Sequence, residues 1–217
     1  MRPTVLTCTH PISRMINKPV GPTILRPFWL ALGCLLLLGT SAQDHRFDIW
    51  KGKDIVGSIL VKRKVDGGRT HYVMSSFSEF DILWKQQVRS LVSTEYMNGG
   101  VSKCYSHVKV NGNVRDSSHF HLNRDSATCY VHPDEHFVHE GLVEWTTARM
   151  YYEEPVGQQS VFVESVLRHC RLQHTGPGTY RLHFPDGKVN NYTYRNGRLE
   201  EVHVDRNFFE LVFRRDG

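Results

Sequence analysis

The stretch TYRLHFPDGKVNNYTYRNGRLEEVHVDRNFFELVF, residues 179–213, decides the fold. It divides into four strand-length pieces, TYRLHF, VNNYTYR, RLEEVHV and FFELVF, separated by the turn signals PDGK, NG and DRN. Asn196-Gly197 is a two-residue hairpin loop, because type I′ geometry needs positive φ at both positions and Asn and Gly tolerate it best. Pro185 fixes φ and Gly187 turns left-handed freely, which makes a second corner. Tyr180, Leu182 and Phe184 alternate with Arg181 and His183, and Phe209, Leu211 and Phe213 alternate with Glu210 and Val212. Each outer strand therefore offers one apolar face, and the stretch predicts an antiparallel meander.

The same rhythm runs upstream. Residues 46–51 (RFDIWK) read as a strand closed by Gly52-Lys53-Asp54, and residues 55–65 as a second strand closed by Asp66-Gly67-Gly68. Long alternating runs follow, YVMSSFSEF and then DILWKQQVRSLVSTEY. Corners at Asn98-Gly99-Gly100, Asn111-Gly112-Asn113 and Asn123-Arg124-Asp125 bound strands near 101–110, 114–122 and 127–132. Turn signals this regular favour a meander over βαβ units. A sheet of about a dozen strands curls or closes to avoid long open edges. The prediction is an all-β domain with a minor α component: one large antiparallel meander sheet, strongly curved into a half-barrel or barrel. The exception is residues 144–153 (EWTTARMYYE), where Trp145, Ala148, Tyr151 and Tyr152 follow a helical period. Thr146 and Thr147 oppose it, and a short helix near 145–152, packed across one mouth of the sheet, is expected.

Ahead of this domain, residues 28–38 (FWLALGCLLLL) form an apolar run preceded by basic residues and followed by Gly39-Thr40-Ser41-Ala42. Eleven residues fall short of the ~20 that a spanning helix needs, so the run reads as a secretory signal core. Thr40 and Ala42 fit small-x-small cleavage, giving a leader of 1–42 and a single domain of 43–217, exported to the periplasm or outside the cell with no transmembrane span after cleavage. The leader is long, and Met15 offers an alternative start. Cys34 raises lipidation, although Ala31-Leu32-Gly33 is a poor lipidation box. Of the 27 basic residues, four (Arg2, Arg14, Lys18 and Arg26) lie in the leader, which has no acidic residue. That leaves 23 against 22 acidic, a nearly neutral domain without the basic face a nucleic-acid partner requires. Cys104, Cys129 and Cys170 remain, an odd number that is no disulfide framework.

The opening FDIWKGKDIVGSILVKRKVDGGRTHYVMSSFSEF and the closing MYYEEPVGQQSVFVESV and GTYRLHFPDGKVNNYTYRNGRLEEVHV resemble an exported bacterial family of unknown function, domain-of-unknown-function family 6134. The resemblance covers nearly all of residues 44–214. Its most specific pieces are Glu154-Pro155, Pro185-Asp186-Gly187 and Tyr194-Arg195-Asn196-Gly197, which are turn motifs and imply a fold rather than a reaction. The opening rhythm is also similar to periplasmic lipoprotein-carrier proteins with curved antiparallel sheets. That likeness implies a half-barrel able to hold an acyl chain, by analogy of fold.

Two sets of residues are candidates for binding. Trp84, Val88, Val92 and Tyr96 share a parity interrupted by Gln86, Ser90 and Thr94. Large apolar mixed with small polar side chains marks an ordinary edge strand, the commoner case, and also a strand lining a partly wet concavity. On the cavity reading Trp84, Val88, Val92 and Tyr96 line a ligand cavity. The second set comes from thirteen histidines, ten of them between His107 and His203. The cluster at residues 132–140 (HPDEHFVHE) matches no helix-borne zinc pattern and reads as a solvated polar loop. If Gly112-Asn113 is a hairpin loop, Cys104 lies opposite His121, and Cys104, His119 and His121 converge as three metal ligands with one open position. A slip of one residue moves Cys104 to the other face. With the Asn123 to Ser126 loop placing Cys129 opposite Phe120, the same register sets Cys104 and Cys129 on opposite faces two strands apart, ~9.6 Å by strand spacing and too far to bridge.

No nucleophile elbow, phosphate loop or dinucleotide motif is present, no catalytic residue is assigned and no cofactor is expected. Glu153 and Glu154 are adjacent and aim apart, a poor carboxylate pair. The sequence therefore points to an exported non-catalytic β module for binding or envelope association, with an apolar small molecule or lipid as its partner. The alternative is a metal-dependent or hydrolytic enzyme using the histidine-rich middle.

Overall fold

The computed structural model describes residues 42–81, 84–206 and 209–217; the leader with Met15 and Cys34 lies outside the described residues. The first eight strands are β1 (Ala42–Lys51), β2 (Asp54–Asp66), β3 (Arg69–Asp81), β4 (Lys85–Met97), β5 (Gly100–Val110), β6 (Asn113–Asn123), β7 (Ser126–Val131) and β8 (Glu135–Glu140). One helical turn, α1 (Thr147–Met150), follows. The remaining six are β9 (Ser160–Val163), β10 (Arg168–Gly176), β11 (Thr179–His183), β12 (Val189–Arg195), β13 (Arg198–Arg206) and β14 (Phe209–Arg215). They form one antiparallel sheet in the order β8 to β1, then β14 to β9. The fold is two meanders joined where the first strand pairs with the last, Ile49 opposite Phe213.

Turn chemistry sets the hairpins. Asn98-Gly99, Asn111-Gly112 and Asn196-Gly197 all hold positive φ at both positions, as type I′ loops require. Curvature shows in a contact between non-neighbours: the rings of Phe80 on β3 and Phe209 on β14 lie 5.3 Å apart although β1 and β2 separate their strands. Bulges at Ile49/Trp50, Glu95/Tyr96, Val108/Lys109 and Thr193/Tyr194 sharpen the bend. Gly57 is required where β2 presses on β3, since a Cβ there would stand 2.1 Å from the Phe77 carbonyl oxygen.

The sheet is not closed. Among the described residues its edge strands, β8 and β9, share no backbone bond; side chains span the gap, Glu135 pairing with Arg168 of β10 and the His139 ring packing 5.4 Å from Phe162 of β9 and 5.8 Å from His169 of β10. The 132–140 cluster, expected as a solvated loop, supplies this edge strand. Its alternation turns Phe137 and His139 inward opposite Cys129 and Ala127, and leaves His136 outside against Tyr130. Strands β9 and β10 fall between Pro155 and the Gly178 turn, where the turn rhythm predicts no element.

The connection from β8 to β9 does not cross outside the sheet but drops into its concavity as a plug. Val143, Thr146, Ala148 and Met150 are all buried, and they join the two apolar clusters of the core, one around Phe47, Val61 and Leu182 and the other around Tyr72, Val101 and Phe162. The expected helix is thus present but only one turn long, capped by Thr146, whose hydroxyl also accepts from Tyr96 at 3.0 Å. Backbone bonds from Val101 to the Val143 carbonyl and from Phe162 to the Trp145 carbonyl fix both flanks. Glu164 secures the turn from below. Fully buried, its carboxyl accepts from Thr94 Oγ1 (3.2 Å) and Ala148 N (3.0 Å) on Oε1, and from the amide and hydroxyl of Thr147 on Oε2. Glu153 and Glu154 do diverge, Glu153 to Arg149 and Tyr72, Glu154 to Tyr180.

Candidate ligand cleft

Strand register converts the sequence into rungs across the concave face. Towards the open mouth, inside the rung of Ser78, Val88 and Val110, Ser76, Ser90, Val108 and Asp116 are successive partners across β3 to β6. The next rung inward is Met74, Val92, Ser106 and Ser118, and the one beyond is Tyr72, Thr94, Cys104 and Phe120. The plug covers this last rung, through Tyr96, Thr146 and Glu164, so the concavity is filled at one end and hollow at the other.

The hollow is a cleft of about 390 Å³. Phe80, Val88 and Val108 form one wall, and Leu211 and Phe213 face them from β14. Its polar members are Ser76, Ser78, Ser90 and Asp116. Ser76 and Ser90 bond each other at 2.6 Å, which occupies one of their two hydroxyl protons. Asp116 is exposed at the rim.

The four residues expected along a cavity are dispersed. Val88 lines the cleft. Val92 packs on the core one rung deeper, and Tyr96 is buried beneath the plug. Trp84 does not line the cleft: it lies just ahead of β4 and is 66% exposed. Ser76, Ser78, Phe80, Val108 and the β14 side chains were missed. Alternation in YVMSSFSEF marks the β3 members, but which strands face each other across the curve is not a local property.

The metal set is corrected by register. The loop is Asn111-Gly112, and the bulge at Val108/Lys109 shifts the pairing so that Cys104 faces Phe120 while His119 faces Tyr105 and His121 faces Lys103. Cys104 points into the core, and His119 and His121 lie on the outer face. There His119 joins a stacked row with Tyr105 (4.7 Å) and Tyr130 (6.0 Å). Among the described residues no group of three His, Cys, Asp or Glu side chains is placed to hold a metal ion. The slip also brings Cys104 and Cys129 to the same face, both opposite Phe120, and all three domain cysteines are free. Burial, with smaller contributions from Glu164 and Cys129, pushes the Cys104 thiol well above its ordinary range; burial pushes Cys170 up to about 11. Thiols held protonated in this way are poor nucleophiles and poor ligands.

An open antiparallel half-barrel, plugged at one mouth and hollow at the other, is the class of protein these features define. The chain belongs to the family described as "Domain of unknown function (DUF6134)", whose model matches residues 47–216. No curated protein matched the chain. Among solved structures it is similar to the crystal structure of a beta-barrel-like protein of the domain of unknown function DUF1849 from Brucella abortus, at 12% identity and a TM-score of 0.51, over 82% of this chain and 96% of that one. At that identity the likeness shows the fold alone. Among the described residues no helix is long and apolar enough to cross a membrane.

Proposed function

We propose that the protein is an exported, non-catalytic binding module whose cleft takes an apolar or acyl-bearing molecule. The observation that supports this reading most is the distribution of polarity: the concave hollow is walled by aromatic and aliphatic side chains, while His71, His119, His121 and His136 stand outside it. A cleft of this volume falls within the range of small-molecule sites, which are mostly apolar with a few placed polar groups. Asp116 at the rim disfavours an anionic head group emerging there and favours a neutral or cationic one. Export rests on the leader, where a basic segment precedes an apolar core and a small-residue cleavage site. The enzyme alternative draws no support from a site whose residues separate onto two faces.

Native mass spectrometry of protein purified without detergent tests the reading. The expected spectrum contains a bound species that organic solvent removes and 1-decanol replaces. A bare mass that gains no adduct with 1-decanol would contradict it.

A further inference from the structure

At the plugged mouth, Arg63 points inward from β2 into a second hollow of about 210 Å³ bounded by Thr70, Tyr72, Tyr96, Arg149 and Glu153. Its guanidinium carbon lies 5.9 Å from the ring centres of both Tyr72 and Tyr152, within cation–π range of each. Among the described residues Arg63 makes no ion pair and no hydrogen bond, and its Nε is buried without a partner. A buried donor in this state demands an explanation. The neighbouring cation does not share its situation. Arg149 gives Nε and Nη2 to Glu153 Oε2 at 2.9 and 2.7 Å and Nη1 to the Glu144 carbonyl at 3.0 Å, so three of its five N–H donors are committed and its charge is paired.

We propose that this hollow binds the carboxylate of a small molecule, with Arg63 as the anchoring cation. Arg63 and Arg149 against Glu153 leave a single positive charge, which a monoanion neutralises and a phosphate dianion overshoots beside Glu153. Only Nε of the Arg63 guanidinium is sealed off, so the two Nη groups, which make no bond among the described residues, are left to present paired N–H donors that match the planar, bidentate geometry of a carboxylate. The hollow lies at the other end of the strands from the apolar cleft and does not depend on its occupant.

Amide signals of Gly68, Thr70 and Gly99 report the site in an NMR titration of the purified protein with sodium acetate at ionic strength held constant with chloride. Saturable shifts are expected, weakened at least about tenfold in Arg63→Gln, the loss that accompanies removal of a charge-assisted hydrogen bond. Should Arg63→Gln not fold, Arg63→Lys keeps the charge without the planar fork, and a several-fold weaker affinity is expected from it. Shifts that do not saturate, an affinity unchanged by the tested substitution, or saturation with inorganic phosphate but not acetate would each overturn the proposal.

Discussion

Glu164 holds two backbone amides with two different oxygens, Thr147 N on Oε2 and Ala148 N on Oε1. Glu164→Gln therefore has no harmless orientation, since its NH₂ faces a backbone N–H whichever way it turns. Leaving a buried donor unsatisfied costs roughly 1–3 kcal/mol, and urea unfolding of Glu164→Gln is expected to show a loss of that size. A change below about 0.5 kcal/mol, the ordinary range of surface substitutions, would mean that the plug is not held by this carboxyl. Nothing in the sequence announces Glu164. It follows a short apolar run, SVFV, and only the fold brings it beneath a helical turn seventeen residues upstream. Arg63 is equally silent, one of several cations in LVKRKV, until β2 is placed against the plug.

At the scale of elements the sequence is far more legible, because turns are local. Asn-Gly pairs and the Pro185-Asp186-Gly187 corner mark strand ends through φ preferences that neighbours seldom override. The strands from β1 to β7 and from β11 to β14 follow from them. Register is less secure. The β6–β7 pairing is as expected, Phe120 opposite Cys129, because a short loop fixes it directly. The β5–β6 pairing is off by one, because the loop lies one residue earlier and a bulge at Arg115, three residues into β6, restores only part of the offset. One residue is enough to separate a metal-ligand set onto two faces. The helical period at 145–152 correctly marks the break in the strand rhythm but overstates its length: Thr146 caps the turn and Pro155 soon follows it.

For the molecule as a whole, the open seam between β8 and β9 is the weakest boundary. His139 stands in it partly buried, its Nε2 without a hydrogen-bond partner, and burial lowers its pKa below the ordinary value near 6.5. His169 is lowered by burial and then by His139; Glu135, Arg168 and the Cys129 thiol are the other titratable groups at the seam. Folding favours the neutral imidazoles, so their contribution to stability is complete above about pH 6.5 and is lost as the pH falls below it. Amide exchange, corrected for the intrinsic pH effect, is expected to show β8, β9 and β10 losing protection between pH 7.5 and 5, with a smaller loss in His139→Phe. Equal protection at both pH values would show that the seam does not sense these protons.

The apolar cleft at the open mouth is the central claim, and its most direct test is a chain-length series. Displacement of a neutral fluorescent dye by n-alkanols measures what the walls contribute, since each buried CH₂ is worth ~0.8 kcal/mol, or about fourfold in affinity. The affinity is predicted to rise by about that factor per carbon, to level off when the chain outgrows the hollow, and to collapse when Ser90→Trp fills it. Binding that is absent, insensitive to chain length, or untouched by Ser90→Trp would contradict it.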